Sequence, residues 1–600
     1  MTTPASSSYT LASSPGKVLL AGGYLVLSPA YPGLVVGTDS RFYSLVAPGS
    51  QQESSASTSP SVVPITIRSP QFEEAIWAFS LDVTQATITL SKTSAESPNA
   101  GRSPFLCLSI VYCLALAFQH KSQEELKTSL GSGLDIHVLA DNDFYSQRKE
   151  AMPPTSEYLK SLAPFNHLHC PISKVHKTGL GSSAALTTSL VSALLIHLGV
   201  VSRDLSDEDL ALLHNAAQLA HCAAQGKVGS GFDVSSAVWG SQIFRRFDPL
   251  ALEALLQEVP AIGVEGGEVS RPRRVDAAIR ETTTEDTSFI SCVAQPTDLR
   301  AIPDLLSHLN PRHVLWKPSP LSAAEGSSGS TKADGSHPTA YEGLHYAPSS
   351  LGNGNNASVS SIPRPAPLEL PPRIEMLLAD VDAGSNTPSL VGKVMEWRKK
   401  KPEWAKQLYN VLATSNQSLA DALLSLKIAH DTDASRYHEA LDKAAGLRSK
   451  AWPAPTAMDD PEDPMTHLVS ARNALRSIRA GMRELGKLSG APIEPDEMGR
   501  LIQGVIETVE GVVGGGVPGA GGYDALYVLY ISERTSAGSR AGEIEKTLMG
   551  AKEKGLSVGV LLSRSGGAKG HEDKSESRRG GLRLEGVSDV RGLSEAVGWS

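Results

Sequence analysis

Apolar and polar positions follow two periods along the first half of the chain. Runs with a period of two, or without a break, predict strands at residues 17–27, 34–38, 42–46, 86–90 and 134–140, the first broken by a Gly-Gly turn. Longer apolar stretches predict buried helices at 106–118 and 183–198. Ser206 and Asp209 have the spacing of a capping box, which predicts a helix that runs to Gln225 and stops at Gly226.

The second half of the chain carries the same signals around a long polar interruption. Strands are predicted at residues 289–293, 313–316, 374–378 and 525–531, with several helices up to about residue 488. Residues 317–372 are dominated by Ser, Gly, Pro, Asn and Ala and bury little apolar surface, which predicts a disordered insertion. Segments 50–61 and 565–581 predict polar low-complexity loops. We therefore predict an α+β protein with two domains, residues 1–285 and 286–600.

Composition narrows the classes of protein that fit this pattern. A net charge of −9 argues against nucleic acid as the main partner, and the basic clusters at 271–274 and 398–401 are interpreted as solvated faces. Five scattered cysteines without a CxxC pair favour a reducing compartment over a disulfide framework or a cysteine zinc site. The apolar run at 106–118 is too short to cross a bilayer, and the N-terminus lacks a signal-peptide pattern. A cytoplasmic protein without a membrane partner is expected.

Three glycine-rich stretches are the main candidates for chemistry. They read SSPGKVLLAGGYLVL at 13–27, KTGLGSSAA at 177–185 and GGGVPGAGGYDA at 514–525. Glycines let backbone N–H groups approach phosphate oxygens, and a helix N-terminus adds free N–H groups and a partial positive charge. A serine hydroxyl is a suitable oxygen ligand for Mg²⁺. The second stretch, which opens a predicted helix, is therefore interpreted as a phosphate-binding loop with a magnesium position.

The second stretch also fits a competing motif. Residues 179–184 satisfy G-x-G-x-x-A, the dinucleotide fingerprint of oxidoreductases. That motif follows a buried strand, whereas residues 170–177 (CPISKVHK) are polar and contain a proline. An acidic residue at the end of a strand about twenty positions later is also missing, so a nicotinamide-dependent enzyme is disfavoured. A Walker A sequence is absent from the chain.

Three stretches of the chain, in this order, are similar to the three motifs of the GHMP kinases: PGKVLLAGGY, GLGSSA and GAGG. This superfamily includes galactokinases and homoserine, mevalonate and phosphomevalonate kinases. Within this superfamily, AAQGKVGSGFDVS at 223–235 resembles the aspartate-bearing segment of phosphomevalonate kinases of the fungal type. DNDFYSQ at 141–147 and DVDAGSNTP at 380–388 support the same assignment. The resemblance covers residues 14 to 530, interrupted by the predicted insertion.

The resemblance implies a fold and an activity. The GHMP fold is α+β, with an N-terminal domain like ribosomal protein S5 domain 2, a C-terminal ferredoxin-like domain and the active-site cleft between them. The activity is the transfer of a phosphoryl group from ATP, with Mg²⁺, to 5-phosphomevalonate in isoprenoid and sterol synthesis. Two alternatives stay open. The first is a GHMP kinase that acts on an alcohol such as mevalonate. The second is a sensor of the same fold that binds ATP without turnover, which the intact Lys17, Ser183 and Asp233 argue against.

The resemblance also implies roles for individual residues. Lys17, Asp233 and Lys177 are expected to be catalytic, and Ser183 to be a magnesium ligand. The residues expected at the ATP phosphates are Gly179, Leu180, Gly181, Ser182, Ser183 and Ala184. The residues expected at the acceptor are Lys17, Ser385, Thr387, Gly519, Ala520, Gly521 and Gly522. Each residue type also has a purely structural explanation: a solvated loop lysine, an N-cap serine or a turn aspartate would look the same in the sequence.

Two details of the chemistry modify these expectations. A phosphate monoester has a second pKa near ~6, so the acceptor is largely dianionic at neutral pH and hardly needs a general base. We therefore predict that Asp233 orients Lys17 or magnesium. Mevalonate kinases carry a glutamate metal ligand on the preceding helix, whereas residues 219–225 (LAHCAAQ) contain no carboxylate. The second magnesium ligand is left open between Gln225 and water, and His221 is predicted to be a packed helix histidine.

Overall fold

The computed structural model describes most of the two halves of the chain. The described residues are 9–49, 61–90, 104–148, 153–258, 297–316, 364–381, 387–453, 460, 462–534, 539–550, 556–565 and 580–599. The strands are β1 Thr10–Ala21, β2 Gly33–Pro48, β3 Val62–Arg68, β4 Ile76–Asp82, β5 Thr87–Leu90, β6 Leu134–Ala140, β7 Gln242–Phe244, β8 Thr297–Asp298, β9 Ala366–Pro367, β10 Ile374–Val381, β11 Val512–Gly516, β12 Ala525–Ile531, β13 Val558–Val560 and β14 Arg583–Leu584. The helices are α1 Pro104–His120, α2 Gln123–Leu130, α3 Ser156–Ser161, α4 Ser182–His197, α5 Asp207–Gln225, α6 Phe232–Trp239, α7 Leu250–Glu258, α8 Leu305–His308, α9 Thr387–Lys400, α10 Pro402–Thr432, α11 Ala434–Ala445, α12 Pro464–Ser489, α13 Asp496–Thr508, α14 Arg540–Gly550 and α15 Leu593–Ala596.

A large sheet forms the centre of the first half. Its strands follow the order β14-β1-β2-β6-β3-β4-β5-β8, with β7 and β9 added beside β2. All of these pairs are antiparallel except β3 with β6. Strands β8, β9 and β14 come from beyond residue 285, so the chain returns to this sheet after building part of the second half. The domain boundary expected at residue 285 stays a prediction.

Helices α4 and α1 form a buried layer over the large sheet. Helix α4 contacts β1 and β2, and α1 packs on both α4 and α5. The sequence of α4 is apolar on nearly all sides, because the helix is enclosed between the sheet and other helices. Helix α5 begins with the predicted capping box of Ser206 and Asp209 and ends at Gly226 in the left-handed conformation. The sequence predictions for these three helices are confirmed.

The second half is built on a smaller sheet. Its four strands are all antiparallel, in the order β11-β12-β10-β13. The long helices α10 and α12 pack along each other, while α12 and α13 contact β11. Buried apolar side chains run from this sheet into the large one as one continuous cluster. The α+β class predicted from the sequence is confirmed. No helix in the described ranges is long and apolar enough to span a membrane.

Several local predictions need correction. Residues 25–27 form a short 3-10 helix instead of a continuing strand, since Tyr24 takes a positive φ of 64° after the Gly-Gly turn. Residues 34–38 and 42–46 belong to the single strand β2. The strand predicted at 313–316 is wrong: Val314–Trp316 is a 3-10 helix whose tryptophan packs on Phe247. The strand predicted at 289–293 lies outside the described residues.

The predicted insertion at 317–372 extends too far toward the C-terminus. Its residues 317–363 lie outside the described part of the chain, but 364–372 are described. Within them, Ala366–Pro367 pair with β7 as strand β9, and the Leu368 side chain is fully buried. Ala366 and Leu368 are a weak sequence signal for a strand, because they stand in a polar segment and become buried only against β7, which is distant in the sequence. The predicted loops at 50–61 and 565–581 lie largely outside the described residues.

A buried ion pair supports the loop between α12 and α13. The Arg479 guanidinium lies 2.6 Å from a Glu494 carboxylate oxygen, and the Glu494 side chain is only 1% exposed. Removing the carboxylate leaves a buried guanidinium without its counter-charge. We therefore expect Glu494→Ala to lower the free energy of unfolding by about 3–5 kcal/mol, measured by urea denaturation.

Glu396→Ala is the matched control. Glu396 is also 2.6 Å from its partner, Lys400, but both side chains are more than half exposed. Such a pair contributes little in water, so no measurable change in the free energy of unfolding is expected. Equal losses in the two variants would show that burial does not determine the strength of the Arg479 pair.

Candidate active site

The three glycine-rich stretches meet at one cavity of about 690 Å³ between the two halves. Lys17 from the first stretch, Gly181 from the second and Gly521 from the third all line it. Asp233, at the start of α6, lines the same cavity. Segments that are hundreds of residues apart in the sequence therefore line one cavity.

The first two stretches approach each other closely because they contain glycine. The Lys17 backbone N–H donates to the carbonyl of Leu180 at 2.9 Å, and Lys17 Nζ donates to the carbonyl of Gly179 at 3.1 Å. Gly181 has a φ of +80°, and a Cβ there would lie 2.8 Å from Lys17 Cε. A side chain at position 181 would therefore move the lysine, so glycine fixes where the ammonium group lies.

Three helices begin at this cavity. The first residue of α4, Ser182, lies on its wall, as do Phe232 of α6 and Thr387 of α9. Helices α4 and α6 both follow a glycine in the left-handed conformation, at Gly181 and Gly231. The N–H groups of a first helical turn have no partner within the helix and carry a partial positive charge. Three such ends around one space favour the binding of anions there.

The third stretch is fastened to the first by the backbone. The Gly519 N–H donates to the Leu19 carbonyl at 3.2 Å, and the Tyr24 hydroxyl donates to the Ala520 carbonyl at 2.6 Å. On its other side, the Gly522 N–H donates to the Ile493 carbonyl at 2.7 Å. These bonds hold residues 519–521 against the cavity and explain why Gly522 is buried behind them.

Lys17 and Asp233 supply opposite charges to the cavity. Burial lowers the pKa of Lys17, and the nearby negative charge of Asp233 partly opposes this shift. The Lys17 ammonium also lies 5.5 Å from the centre of the Phe232 ring. Lys177 is exposed on the cavity wall, where it adds a second cation. The partly buried Lys17 is thus a charge that an incoming anion stabilises.

His221 occupies a central place that the sequence did not indicate. Its side chain is buried, as predicted for a packed histidine, but Nε2 faces the cavity. This nitrogen lies 3.1 Å from Ser183 Oγ and 3.8 Å from Asp233 Oδ2. Gln225 Nε2 is 3.5 Å from it. Burial lowers the pKa of His221, and the nearby negative charge of Asp233 partly opposes this shift.

The oxygen atoms around His221 fit a magnesium ion only in part. Ser183 offers a hydroxyl and Asp233 a carboxylate, and both face the same imidazole nitrogen. Across the described ranges, no three His, Cys, Asp or Glu side chains are grouped to hold a metal ion. Magnesium commonly binds one or two protein oxygens together with water and phosphate oxygens, and these two donors suit that arrangement.

Most of the residues expected at the site do line the cavity. They are Lys17, Lys177, Gly179, Leu180, Gly181, Ser182, Ser183, Asp233, Thr387, Gly519, Ala520 and Gly521. Ala184 is buried in the first turn of α4, Gly522 lies behind the third loop, and Ser385 is outside the described residues. Residues on the wall that the sequence analysis did not single out include Tyr24, Lys227, Phe232 and Asp524. All four lie within stretches quoted in the sequence analysis: 13–27, 223–235 and 514–525. Their position in these stretches is the sequence signal that could have identified them.

Comparison with known proteins gives a consistent picture. The model of the GHMP kinases N terminal domain matches residues 157–241. The chain is 32% identical over 550 residues to a peroxisomal phosphomevalonate kinase of Arabidopsis thaliana, covering 87% of this chain and 90% of that protein. It is 31% identical over 552 residues to a phosphomevalonate kinase of Aspergillus fumigatus, covering 88% of each.

Among solved structures, a Streptococcus pneumoniae phosphomevalonate kinase in complex with phosphomevalonate and AMPPNP has a TM-score of 0.47 and 11% sequence identity, covering 92% of this chain and 98% of that chain. The assignment to a family depends on the sequence relatives. The family match agrees with the α+β GHMP fold expected from the motifs.

The contact of Gly181 with Lys17 leads to a prediction about anion binding. In Gly181→Ala, the new Cβ lies where Lys17 Cε now lies, so the ammonium is displaced from the loop. We expect the affinity for ATP, measured by isothermal titration calorimetry, to fall by about tenfold, which is about 1.4 kcal/mol.

Gly490→Ala controls for backbone strain. Gly490 also has a positive φ, of 68°, with open space around its Cβ position, and it ends α12 outside the cavity. Both variants lose about 1 kcal/mol of stability from the left-handed conformation, but only Gly181→Ala weakens ATP binding. Equal affinities in the two variants would contradict the role of Gly181 in placing Lys17.

Proposed function

This chain belongs to the phosphomevalonate kinases of the GHMP kinase superfamily, and we infer that it transfers the γ-phosphoryl group of ATP to (R)-5-phosphomevalonate. The products are mevalonate 5-diphosphate and ADP. The single observation that carries this inference is the convergence of Lys17, Gly181, Asp233 and Gly521 on one cavity. Its volume of about 690 Å³ is in the range of small-molecule sites.

The proposed role of the cavity is to hold two anions close together. The transferred phosphoryl group passes through a state whose charge is spread over its oxygens, and stabilising that charge provides most of the catalysis. We assign the ATP phosphates to the start of α4, residues 179–184, because its free N–H groups face the cavity. Lys17 contacts the carbonyl of Gly179 in the same loop and is positioned to stabilise the transferred group.

Magnesium is proposed as the metal of this reaction. When bound, it neutralises phosphate charge and aligns the phosphoryl group for transfer. Ser183 is the proposed protein ligand, with the Asp233 carboxylate as the second oxygen donor. Gln225 is the less suitable second donor, because its amide nitrogen, as placed, faces His221.

The acceptor is assigned to the wall formed by the second half. We propose that residues 519–521 and Thr387, together with Ser385, surround 5-phosphomevalonate on the side opposite the ATP loop, with Gly522 behind them. Thr387 and residues 519–521 line the cavity, and the start of α9 presents N–H groups to it. Lys177, at the edge of the ATP loop, is proposed to neutralise charge on either phosphate.

The cytoplasm is the compartment that we propose from the cysteine usage. The four cysteines in the described ranges are free. The relative from Arabidopsis thaliana is named as peroxisomal. Imaging of the fluorescently tagged chain in cells decides between the two compartments, and accumulation in peroxisomes would overturn the proposal.

The acceptor can be tested by measuring ADP release with ATP and each candidate compound. We expect kcat/KM for 5-phosphomevalonate to exceed that for mevalonate by at least about a thousandfold, since a site built for a charged group discriminates strongly against its absence. Chelation by EDTA should stop the reaction, and excess Mg²⁺ should restore it. Faster turnover of mevalonate would make the chain a kinase for an alcohol instead.

The proposed role of Asp233 can be tested with a pH profile of Asp233→Asn. Because the acceptor phosphate ionises near ~6, kcat/KM should fall below that pH in the wild type and the variant alike. If Asp233 only orients Lys17 and magnesium, the variant loses about 10²- to 10³-fold in kcat by the same factor at every pH. A loss that shrinks steadily as the pH rises would identify Asp233 as a general base and contradict the orienting role.

A further inference from the structure

Helix α5 presents a polar face without a carboxylate to the cavity. Gln218, His221 and Gln225 are spaced by three and four positions, so they lie on one side of the helix, and all three line the cavity. Gln218 is fully buried, and neither of its side-chain amide atoms has a hydrogen-bond partner among the described residues. Buried polar groups normally have hydrogen-bond partners, so packing alone does not explain the polar residues on this face.

His221 is the residue of this face that lies nearest the other polar groups of the site. Its Nε2 atom is 3.1 Å from Ser183 Oγ at the start of α4 and 3.8 Å from Asp233 Oδ2 at the start of α6. The two helix ends that bind anions therefore meet at one imidazole nitrogen. Any charge placed at position 221 would act on both.

The charges on the cavity wall explain why the residue at position 221 affects the binding of anions. The described wall carries three lysines, Lys17, Lys177 and Lys227, and two carboxylates, Asp233 and Asp524. A phosphorylated acceptor brings two further negative charges beside a triphosphate. A carboxylate at position 221 would stand next to Asp233 in a partly buried site, where like charges repel more strongly than in water.

We propose that His221 determines the class of acceptor: its side chain lies 3.1 Å from Ser183 Oγ and 3.8 Å from Asp233 Oδ2 and keeps this part of the wall free of another carboxylate, so that a dianionic phosphate can bind next to ATP. This inference rests on the proposed function and adds a residue that selects a phosphorylated acceptor. Gln218 and Gln225 extend the same carboxylate-free face on either side.

The test compares His221→Glu with His221→Gln. Glutamate and glutamine have nearly the same shape, so the pair differs in charge alone. Binding of 5-phosphomevalonate is measured by isothermal titration calorimetry without ATP or Mg²⁺, and turnover is measured by ADP release. We expect His221→Glu to bind the acceptor at least about tenfold more weakly than His221→Gln. Turnover falls in both variants, because both alter the contact with Ser183.

Ionic strength separates an effect of charge from an effect of structure. Repulsion between a carboxylate and a phosphate is screened by salt, so the difference in affinity between the two variants should shrink from 20 mM to about 500 mM NaCl. If His221→Glu does not fold, Gln225→Glu places the charge on the exposed end of the same face and should show the same salt-dependent loss relative to wild type.

Equal affinities of His221→Glu and His221→Gln for 5-phosphomevalonate at low salt would overturn this inference. A difference that persists unchanged at high salt would do the same. Neither result affects the proposed function if the wild type releases ADP with 5-phosphomevalonate. Conversely, a wild type that does not turn over this acceptor contradicts the proposed function itself, so the two failures are distinguishable.

Discussion

The site depends on the close approach of strand β1 to the loop before α4. The two backbones are joined by the hydrogen bond from the Lys17 N–H to the Leu180 carbonyl at 2.9 Å, and a glycine stands directly beside each of these two residues. A Cβ at Gly16 would lie 3.2 Å from the Leu180 carbonyl oxygen, and one at Gly181 would meet Lys17. Glycine at both positions lets a lysine on a rigid strand reach the start of a helix. The placement of the cation and of the anion-binding N–H groups follows from this one contact.

A second close approach joins the two halves. A Cβ at Gly23 would lie 2.4 Å from the carbonyl oxygen of Gly519, and the Gly519 N–H bonds to the Leu19 carbonyl. Tyr527 on β12 donates its hydroxyl to the Leu20 carbonyl at 3.0 Å. Because these bonds are made by backbone and buried groups, the third loop is set against the first with little freedom. The cavity is therefore formed by the way the halves fit together.

The sequence predicted the parts of the site that depend on local features. Glycines with positive φ, a serine pair at a helix start and a capping box each leave a mark in a few neighbouring residues, which is why the helices α4 and α5 were predicted correctly. The sequence predicts a packed histidine at position 221, since a buried helical position does not indicate which side-chain atom lies next to a cavity. Its contacts with Ser183 and Asp233 join three helices, and this arrangement exists only in the folded chain. The roles assigned to these residues stay proposals.

The pairing of β14 with β1 has a consequence for how the protein is made. Residues 583–584 lie beside Ala12 and Ser13, at the border of a sheet whose other long strands all come from the first part of the chain. During translation, β1 emerges early, but Ala12 and Ser13 on its outer side are paired only after residues 583–584 have left the ribosome. Until then, the nascent N-terminal half exposes a strand edge that other chains can pair with. Maturation of the kinase therefore includes an interval in which protection by a chaperone is most valuable.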